Sequence, residues 1–197
     1  SKILMAQSDN CATPTSLTPG TTCVNTTGTL YLATSSGIAG SCAGTIYDVW
    51  YTFTTPAGCT SVNIDMASIA AGGNNLTISN TFMEAFNGTN CGTTSLSLCT
   101  AMGTTLTLSV SPSTGYRLRV FTLNTNPNTN NAARWDYDIC ITYVPPPAND
   151  DCSGAITLTL ATSCSNTAGT VLNAASSTGL PVGCEAVGTL YDVWFVF

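Results

Sequence analysis

The sequence contains no histidine and only four basic residues, and this scarcity excludes several kinds of chemistry. Its 197 residues include ten acidic side chains against four Lys and Arg, which gives a formal net charge of −6. So few basic groups cannot neutralise a row of phosphates, so we expect no nucleic-acid partner. The absence of His also excludes Ser-His-Asp and Cys-His nucleophile systems and imidazole metal sites. We therefore expect no catalytic residues and no enzymatic activity.

Long hydrophobic runs are also absent. No stretch approaches the ~20 consecutive apolar residues of a membrane-spanning helix, so we expect no membrane span. Residues 1–6 have the composition of the tail of a signal peptide, with Ala6 at a plausible cleavage position. A cloning remnant is the alternative explanation of this segment.

The chain is instead rich in Ser, Thr and Asn, and 44% of its residues are hydrophobic. β-Branched and aromatic residues alternate with polar ones in short runs bounded by turn residues, a pattern typical of strands. No segment has the pattern of a helix. The sequence predicts an all-β, antiparallel, jelly-roll-like β-sandwich. Its predicted strands are 27–34, 45–54, 61–69, 75–79, 81–87, 95–99, 104–111, 116–123 and 134–143.

The clearest signal is an internal repeat. The motif at 9–11 recurs at 150–152, and residues 44–53 match 188–197. We therefore predict a tandem repeat made of a complete sandwich module at 7–144, a Pro-rich linker at 145–149 and the N-terminal third of a homologous module at 150–197. Either the same chain or another polypeptide would complete the second module, so self-association or contact with neighbouring modules is expected.

Ten cysteines without a Cys-x-x-Cys motif indicate disulfides and an oxidising, extracellular compartment. The repeat favours pairing within each copy, although sequence alone leaves the connectivity open. The predicted pairs are Cys11–Cys23, Cys152–Cys164, Cys91–Cys99 and Cys42–Cys59. Cys140 and Cys184 are then left without an assigned partner.

Four charged residues near the end of the first module form a candidate site. Asp136 and Asp138 lie two apart on a predicted strand, a spacing that also suits paired catalytic carboxylates. Arg117 and Arg119 have the same parity on the preceding predicted strand. We expect cross-strand ion pairs on a solvated face rather than catalysis.

Two aspartates are weak candidates for calcium. Asp9 and Asp48 could supply oxygen ligands, but capping of backbone amides is the favoured role. No other cofactor is expected.

The three tryptophans could stack on sugars, and surface glycans are a possible partner. Trp50, Trp135 and Trp194 nevertheless lie on apolar stripes of predicted strands, so we expect them to anchor the core.

Several of these motifs together resemble a known group of proteins. They are 9–11, Cys42, 48–56, 86–91 and 115–120. The chain resembles the tandem Cys-containing β-sandwich modules of secreted Bacteroidota surface proteins, with the pattern NDxC…DVWYxFTxP…YxGxC…GxxYxxRV. These modules are similar in outline to bacterial pre-peptidase C-terminal domains.

The resemblance implies export by a type IX system and a place at the cell surface. Such modules occur in adhesins, in fibrous surface proteins and as appendages of secreted hydrolases. We expect a structural or adhesive repeat of an extracellular surface protein or filament. The alternative is an ancillary carbohydrate-binding module of a secreted hydrolase.

Overall fold

The computed structural model describes residues 8–39, 41–42, 44–69, 75–91, 95–127, 132–176 and 191–197. The predicted signal-peptide remnant at 1–6 and Cys184 lie outside these residues. Within them the strands are β1 (Thr15–Ser16), β2 (Thr26–Thr29), β3 (Ile46–Thr54), β4 (Ser61–Ser68), β5 (Thr81–Asn87), β6 (Thr100–Ala101), β7 (Leu106–Ser109), β8 (Gly115–Leu123), β9 (Asp136–Tyr143), β10 (Ile156–Thr157) and β11 (Phe195–Val196). Two short 3-10 helices span Ala132–Trp135 and Cys152–Gly154. No helix in this part of the chain is long and apolar enough to cross a membrane.

The strands form a five-stranded sheet in the order β1-β3-β8-β5-β6 and a four-stranded sheet in the order β2-β9-β4-β7. From β2 to β9 the chain passes repeatedly from one sheet to the other, and this connectivity is that of a jelly roll. The pairs within both sheets are antiparallel except β1 with β3. The predicted fold class, an all-β, disulfide-stapled, jelly-roll-like sandwich, is confirmed.

The main core lies between the two sheets. Because successive side chains of a strand point to opposite faces, every second residue of the long strands enters it. These inward positions are at most 3% exposed: Val49, Tyr51, Phe53, Val62, Ile64, Met66, Tyr116, Leu118, Val120, Tyr137, Ile139 and Ile141.

A tyrosine pair joins the sheets at the centre of this core. The hydroxyls of Tyr51 and Tyr137 are hydrogen-bonded at 2.7 Å. Burial raises the pKa of both phenols above their usual value. A Cβ atom at Gly28 would lie 2.5 Å from Tyr137 Cζ and from Tyr51 Oη. Glycine is therefore needed at position 28 because the two rings approach the β2 backbone closely.

Some predicted strands are not strands. Residues 75–79 form no strand and lead into a turn at 78–80, and 95–99 contribute a single bridge from Ser95 to Phe86. Asn80 explains the first difference, because its side chain accepts a hydrogen bond from Thr77 N and stabilises a turn. Trp135 is also not on a strand, since it ends the 3-10 helix that precedes β9.

The disulfides differ from the predicted pairs. The structure joins Cys11 to Cys91, Cys23 to Cys140 and Cys42 to Cys99, with Cα–Cα distances of 5.7, 5.4 and 5.8 Å. The predicted pairs Cys11–Cys23, Cys91–Cys99 and Cys42–Cys59 are therefore wrong.

For Cys11 and Cys23 the physical reason is that the two cysteines, although close in sequence, lie on different sheets. Cys11 packs against Trp50 on the five-stranded sheet, whereas Cys23 is bonded to β9 of the four-stranded sheet. Cys59 is a buried free thiol, and burial raises its pKa. Cys152 and Cys164 are exposed free thiols, so their predicted pair is not formed either.

The described residues of 148–197 repeat local contacts made by the described residues of 8–144, which we call the first segment. Trp194 N donates to Asn149 O at 2.8 Å, as Trp50 N donates to Ser8 O at 2.8 Å. Strands β10 and β11 pair in parallel, as β1 and β3 do. The carboxylates of Asp150 and Asp9 accept hydrogen bonds from Ala175 N and Thr34 N respectively. Residues matched in sequence thus make matched contacts in space.

The disulfide connectivity gives a direct test of this fold. Peptide mapping under non-reducing conditions should yield linked peptides for Cys11–Cys91, Cys23–Cys140 and Cys42–Cys99. Because the first two bonds close loops of 80 and 117 residues, removing either should cost about 2–5 kcal/mol of unfolding free energy. A linked Cys11–Cys23 peptide would contradict the structure.

Candidate functional site

The outer face of the five-stranded sheet is also buried. Strand alternation turns Asp48 and Trp50 of β3, Glu84 and Phe86 of β5, and Arg119 and Phe121 of β8 away from the main core. Each of these six residues, which we call the covered face, is at most 3% exposed. A sheet face that would otherwise meet water therefore forms a second interior.

Two chain segments, one around Cys11 and one around Ile38, lie over this face, and together we call them the cover. Cys11 and Ile38 pack on Trp50 and Phe86, and Ser8 forms a bridge to Trp50. The Cys11–Cys91 and Cys42–Cys99 disulfides tie the two segments to the loops after β5 and before β6. The cover is thus linked covalently to the sheet that it shields.

Arg119 lies at the centre of the covered face. Its guanidinium pairs with the carboxylates of Glu84 and Asp48, the latter at 3.5 Å between Nη1 and Oδ2. Nη1 also donates to Ile38 O at 2.8 Å, so the arginine holds the cover directly.

Aromatic rings surround the same guanidinium. Arg119 Cζ lies 5.5, 5.3 and 5.0 Å from the ring centroids of Trp50, Phe86 and Phe121. Cation–π attraction is strongest when the cation is desolvated, as it is here.

Both carboxylates also hold the cover. Asp48 accepts hydrogen bonds from Ser36 N at 2.9 Å and Ser36 Oγ at 2.6 Å. Glu84 Oε1 accepts from Ser41 N at 2.9 Å. The backbone amides of the cover therefore depend on acidic side chains of the sheet.

The two acids have opposite pKa shifts. Burial raises the pKa of Asp48 above its ordinary value, although Ser36 and Arg119 act against it. Burial alone would also raise the pKa of Glu84, but hydrogen bonds from Ser41 and Arg119 outweigh it and lower the pKa. The hydrogen bonds and the positive charge around Glu84 thus stabilise its carboxylate form by more than burial destabilises it.

The covered face can bind a loop but cannot receive a substrate. All three charged groups have no exposed side-chain surface. A buried ion cluster stabilises little by itself, yet it is costly to break because the remaining charges stay unpaired. In this protein the ion cluster fixes the position of the cover.

The predicted ion pairs between Arg117 or Arg119 and Asp136 or Asp138 are wrong. Strands β8 and β9 belong to different sheets, so the four side chains do not share a face. Asp138 instead accepts a hydrogen bond from Thr27 Oγ1 at 2.7 Å.

The two calcium candidates, Asp9 and Asp48, both cap backbone amides. Asp9 accepts from Thr34 N at 2.7 Å, and Asp48 accepts from Ser36 N. Asp48 also faces the positive charge of Arg119, which disfavours a cation beside it. No group of three or more His, Cys, Asp or Glu in the described residues could hold a metal ion.

Two of the three tryptophans are core anchors as predicted. Trp50 and Trp135 are at most 1% exposed. Trp194 is partly buried, and its role stays a prediction.

Two open clefts lie on the first segment. One of about 380 Å³ follows the Cys23–Cys140 disulfide and is bordered by Asp65 and Asp138. Another of about 520 Å³ lies beside the cover and is bordered by Asp9 and Ser36. None of the described residues that line these two clefts is aromatic, so these residues offer no surface for sugar stacking.

Sequence reasoning missed Glu84 and the role of Arg119. A usable signal exists in β5, where Glu84 is the single charged residue of an otherwise apolar run, 82–86. A charge buried in a strand generally needs a partner of opposite sign.

The fold and this site define a disulfide-stapled, jelly-roll accessory module. The chain belongs to a family described as galactose binding domain-like and associated with the type IX secretion system, whose model matches residues 7–133 and 148–197. No significantly similar protein was found among curated proteins. The family association and the three disulfides indicate a secreted, extracellular protein.

Replacement of Arg119 tests the covered face. Arg119→Met should lower the unfolding free energy by about 3–5 kcal/mol, because Asp48 and Glu84 would remain buried without their partner. The matched control is Arg117→Met on the same strand, where no ion pair is formed among the described residues. We expect it to cost about 1 kcal/mol. Denaturant unfolding measures both, and equal losses would contradict the assigned role.

Proposed function

We propose that this chain is a non-catalytic structural or adhesive element of a secreted surface protein, in which tandem modules are held in a fixed relation. The observation that supports this proposal most strongly is the docking of the linker 145–149 on both sides. A flexible tether would suit an independent binding module, whereas a docked linker transmits orientation from one module to the next.

On the first side, Pro146 lies against Gly58. A Cβ atom at Gly58 would be only 2.8 Å from Pro146 Cγ, so the ring fits closely onto this glycine. Gly58 immediately precedes the buried Cys59. The proline end of the linker therefore packs against the β3–β4 loop.

On the other side, Asn149 is 3% exposed and shares two hydrogen bonds with Trp194. Asn149 Nδ2 donates to Trp194 O at 2.9 Å, and Trp194 N donates to Asn149 O. Asn173 Nδ2 also donates to Val144 O at 2.9 Å, across the linker. The segment after the linker is thus hydrogen-bonded to both of its ends.

The chemistry of the side chains supports a role without catalysis. The sequence has no His and a single Lys. The acids closest to Arg119, Asp48 and Glu84, are sealed under the cover. A general acid or base would have to reach a substrate, and these two carboxylates do not.

Carbohydrate binding is the second candidate. Its support is the family description, galactose binding domain-like, and the two clefts on the first segment. The described residues of these clefts include no aromatic ring on which a sugar could stack. The affinity for a sugar would therefore depend on hydrogen bonds to Asp65, Asp138 and neighbouring polar groups.

Rotational diffusion measured by NMR relaxation tests whether the segments before and after the linker keep a fixed relative orientation. Residues 8–144 and 150–176 should tumble with one correlation time in the native chain. Asn149→Ala should shorten the correlation time of 150–176, because it removes the side-chain hydrogen bond from Asn149 Nδ2 to Trp194 O. Asn166→Ala is the control, since its side chain lies outside the linker contacts.

Independent tumbling of the two segments in the unmodified chain would contradict the structural proposal. Titration of the same sample with galactose separates the two candidates. Saturable shifts confined to the residues of one cleft would favour carbohydrate binding, and unchanged spectra would favour the structural role.

A further inference from the structure

Arg117 is a buried cation without a counter-charge. It is 9% exposed, and its guanidinium takes part in neither of the two ion pairs found among the described residues. Its Nε is a buried donor without a hydrogen-bond partner. A buried charge is costly unless it is paired, so this side chain is suited to a bound anion.

The acidic residues of the first segment do not supply this anion. Three of them are bonded to Thr34 or to Arg119, and three lie on strands of the other sheet: these are Asp9, Asp48 and Glu84, and Asp65, Asp136 and Asp138. Burial lowers the pKa of the Arg117 guanidinium, and no acidic group among the described residues opposes this shift. The first segment therefore leaves the positive charge of Arg117 without a partner.

The surroundings of Arg117 follow from the strand register. Arg117 lies on the outer face of the five-stranded sheet, in the same alternation as Arg119. Its neighbours across the sheet are Thr52 of β3 and Phe86 of β5. Phe86 is 3% exposed, so one side of the position is apolar and dry. An ion pair formed beside it would be stronger than the same pair in water.

The loop after β5 borders this position at the N-terminal end of β8. A Cβ atom at Gly115, which has the same parity as Arg117, would lie 2.8 Å from Thr89 Cγ2. The exposed Thr89 side chain therefore lies over the same face, one outward position along β8 from Arg117. A Cβ atom at Gly88 would meet nothing within 4 Å. The loop is thus open to solvent next to Thr89, and a ligand can approach there.

We propose that Arg117 binds a carboxylate group of a ligand beside Thr89. The planar guanidinium presents parallel N–H groups that match the two oxygens of a carboxylate. A singly charged group is favoured over a polyanion, because one cation neutralises one charge and the chain has a formal net charge of −6. Acidic sugars and small organic acids both carry such a group.

The inference goes beyond the proposed function and does not depend on it. A structural module and a carbohydrate-binding module can both carry this site. Arg117 lines neither of the two clefts on the first segment, so the site is also separate from them.

NMR titration of the unmodified chain with galacturonate, galactose and acetate, at constant ionic strength, is the direct test. Galacturonate and galactose form a matched pair, because a carboxylate in one replaces a hydroxymethyl group in the other. Galacturonate should give saturable shifts of the Arg117 Nε–Hε signal and of the Thr89 amide signal. Galactose should leave both signals unchanged.

Acetate distinguishes the two sources of the carboxylate. It should shift the same two signals, because it carries the group that Arg117 binds. An affinity equal to that of galacturonate assigns the site to carboxylates in general. A weaker affinity of acetate assigns the site to acidic sugars.

Variants of the chain provide the matched controls, with binding followed at the Thr89 amide. Arg117→Met should weaken galacturonate binding by at least about tenfold, because it removes the charged donors. Arg117→Lys keeps the charge without the planar fork, so it should weaken binding less than Arg117→Met does. Arg134→Met makes the same change in net charge on the 3-10 helix before β9, and it should leave the affinity unchanged. Thermal unfolding checks that each variant is folded.

Two results would overturn the inference. One is the absence of saturable shifts at Arg117 with both galacturonate and acetate. The other is galacturonate binding that Arg117→Met leaves unchanged. Neither result affects the rotational diffusion test of the linker.

Discussion

The ion cluster of Arg119 with Asp48 and Glu84 is the interaction on which the outer half of this module depends. In an ordinary sandwich one face of each sheet meets water and needs only polar side chains. Here the outer face of the five-stranded sheet carries an arginine, two acids and three aromatic rings, and all are buried. These groups are stable only while the cover supplies Ile38 O and the amides of Ser36 and Ser41.

This dependence explains the positions of two disulfides. The cover consists of loops without a regular sheet of their own, so hydrogen bonds and apolar contacts alone would leave it free to open locally. The Cys11–Cys91 and Cys42–Cys99 bonds join it to loops at the edge of the same sheet. The third bond, Cys23–Cys140, holds the segment before β2 to the four-stranded sheet. Each sheet is thus stapled separately, which suits a protein outside the cell.

The sequence specified the fold class well and the site poorly, for a physical reason. Alternation along 116–123 and 134–143 predicts strands because side-chain period is a local property. The spatial neighbours of those strands are set by long crossovers. Although β9 follows β8 in the chain, β8 pairs with β3 and β5, and this pairing could not be deduced from the order of the strands in the sequence. The ion pairs expected for Arg119 followed from that wrong adjacency. The predicted Cys11–Cys23 pair failed for the same reason, since these two cysteines are bonded to opposite sheets. Residues matched by the internal repeat of the sequence, in contrast, have matched local contacts. The backbone N–H groups of Trp50 and Trp194 donate to matched carbonyl oxygens.

Native-state hydrogen exchange at Ser36 and Ser41 tests the central claim most directly, namely that the covered face is a closed second interior. Their amides donate to Asp48 and Glu84. If the cover opens only when the module unfolds, the free energy of exchange at both amides will equal the global free energy of unfolding measured with denaturant. Exchange at Ser36 and Ser41 with a free energy near zero, while amides of β3 and β8 remain protected, would contradict the account.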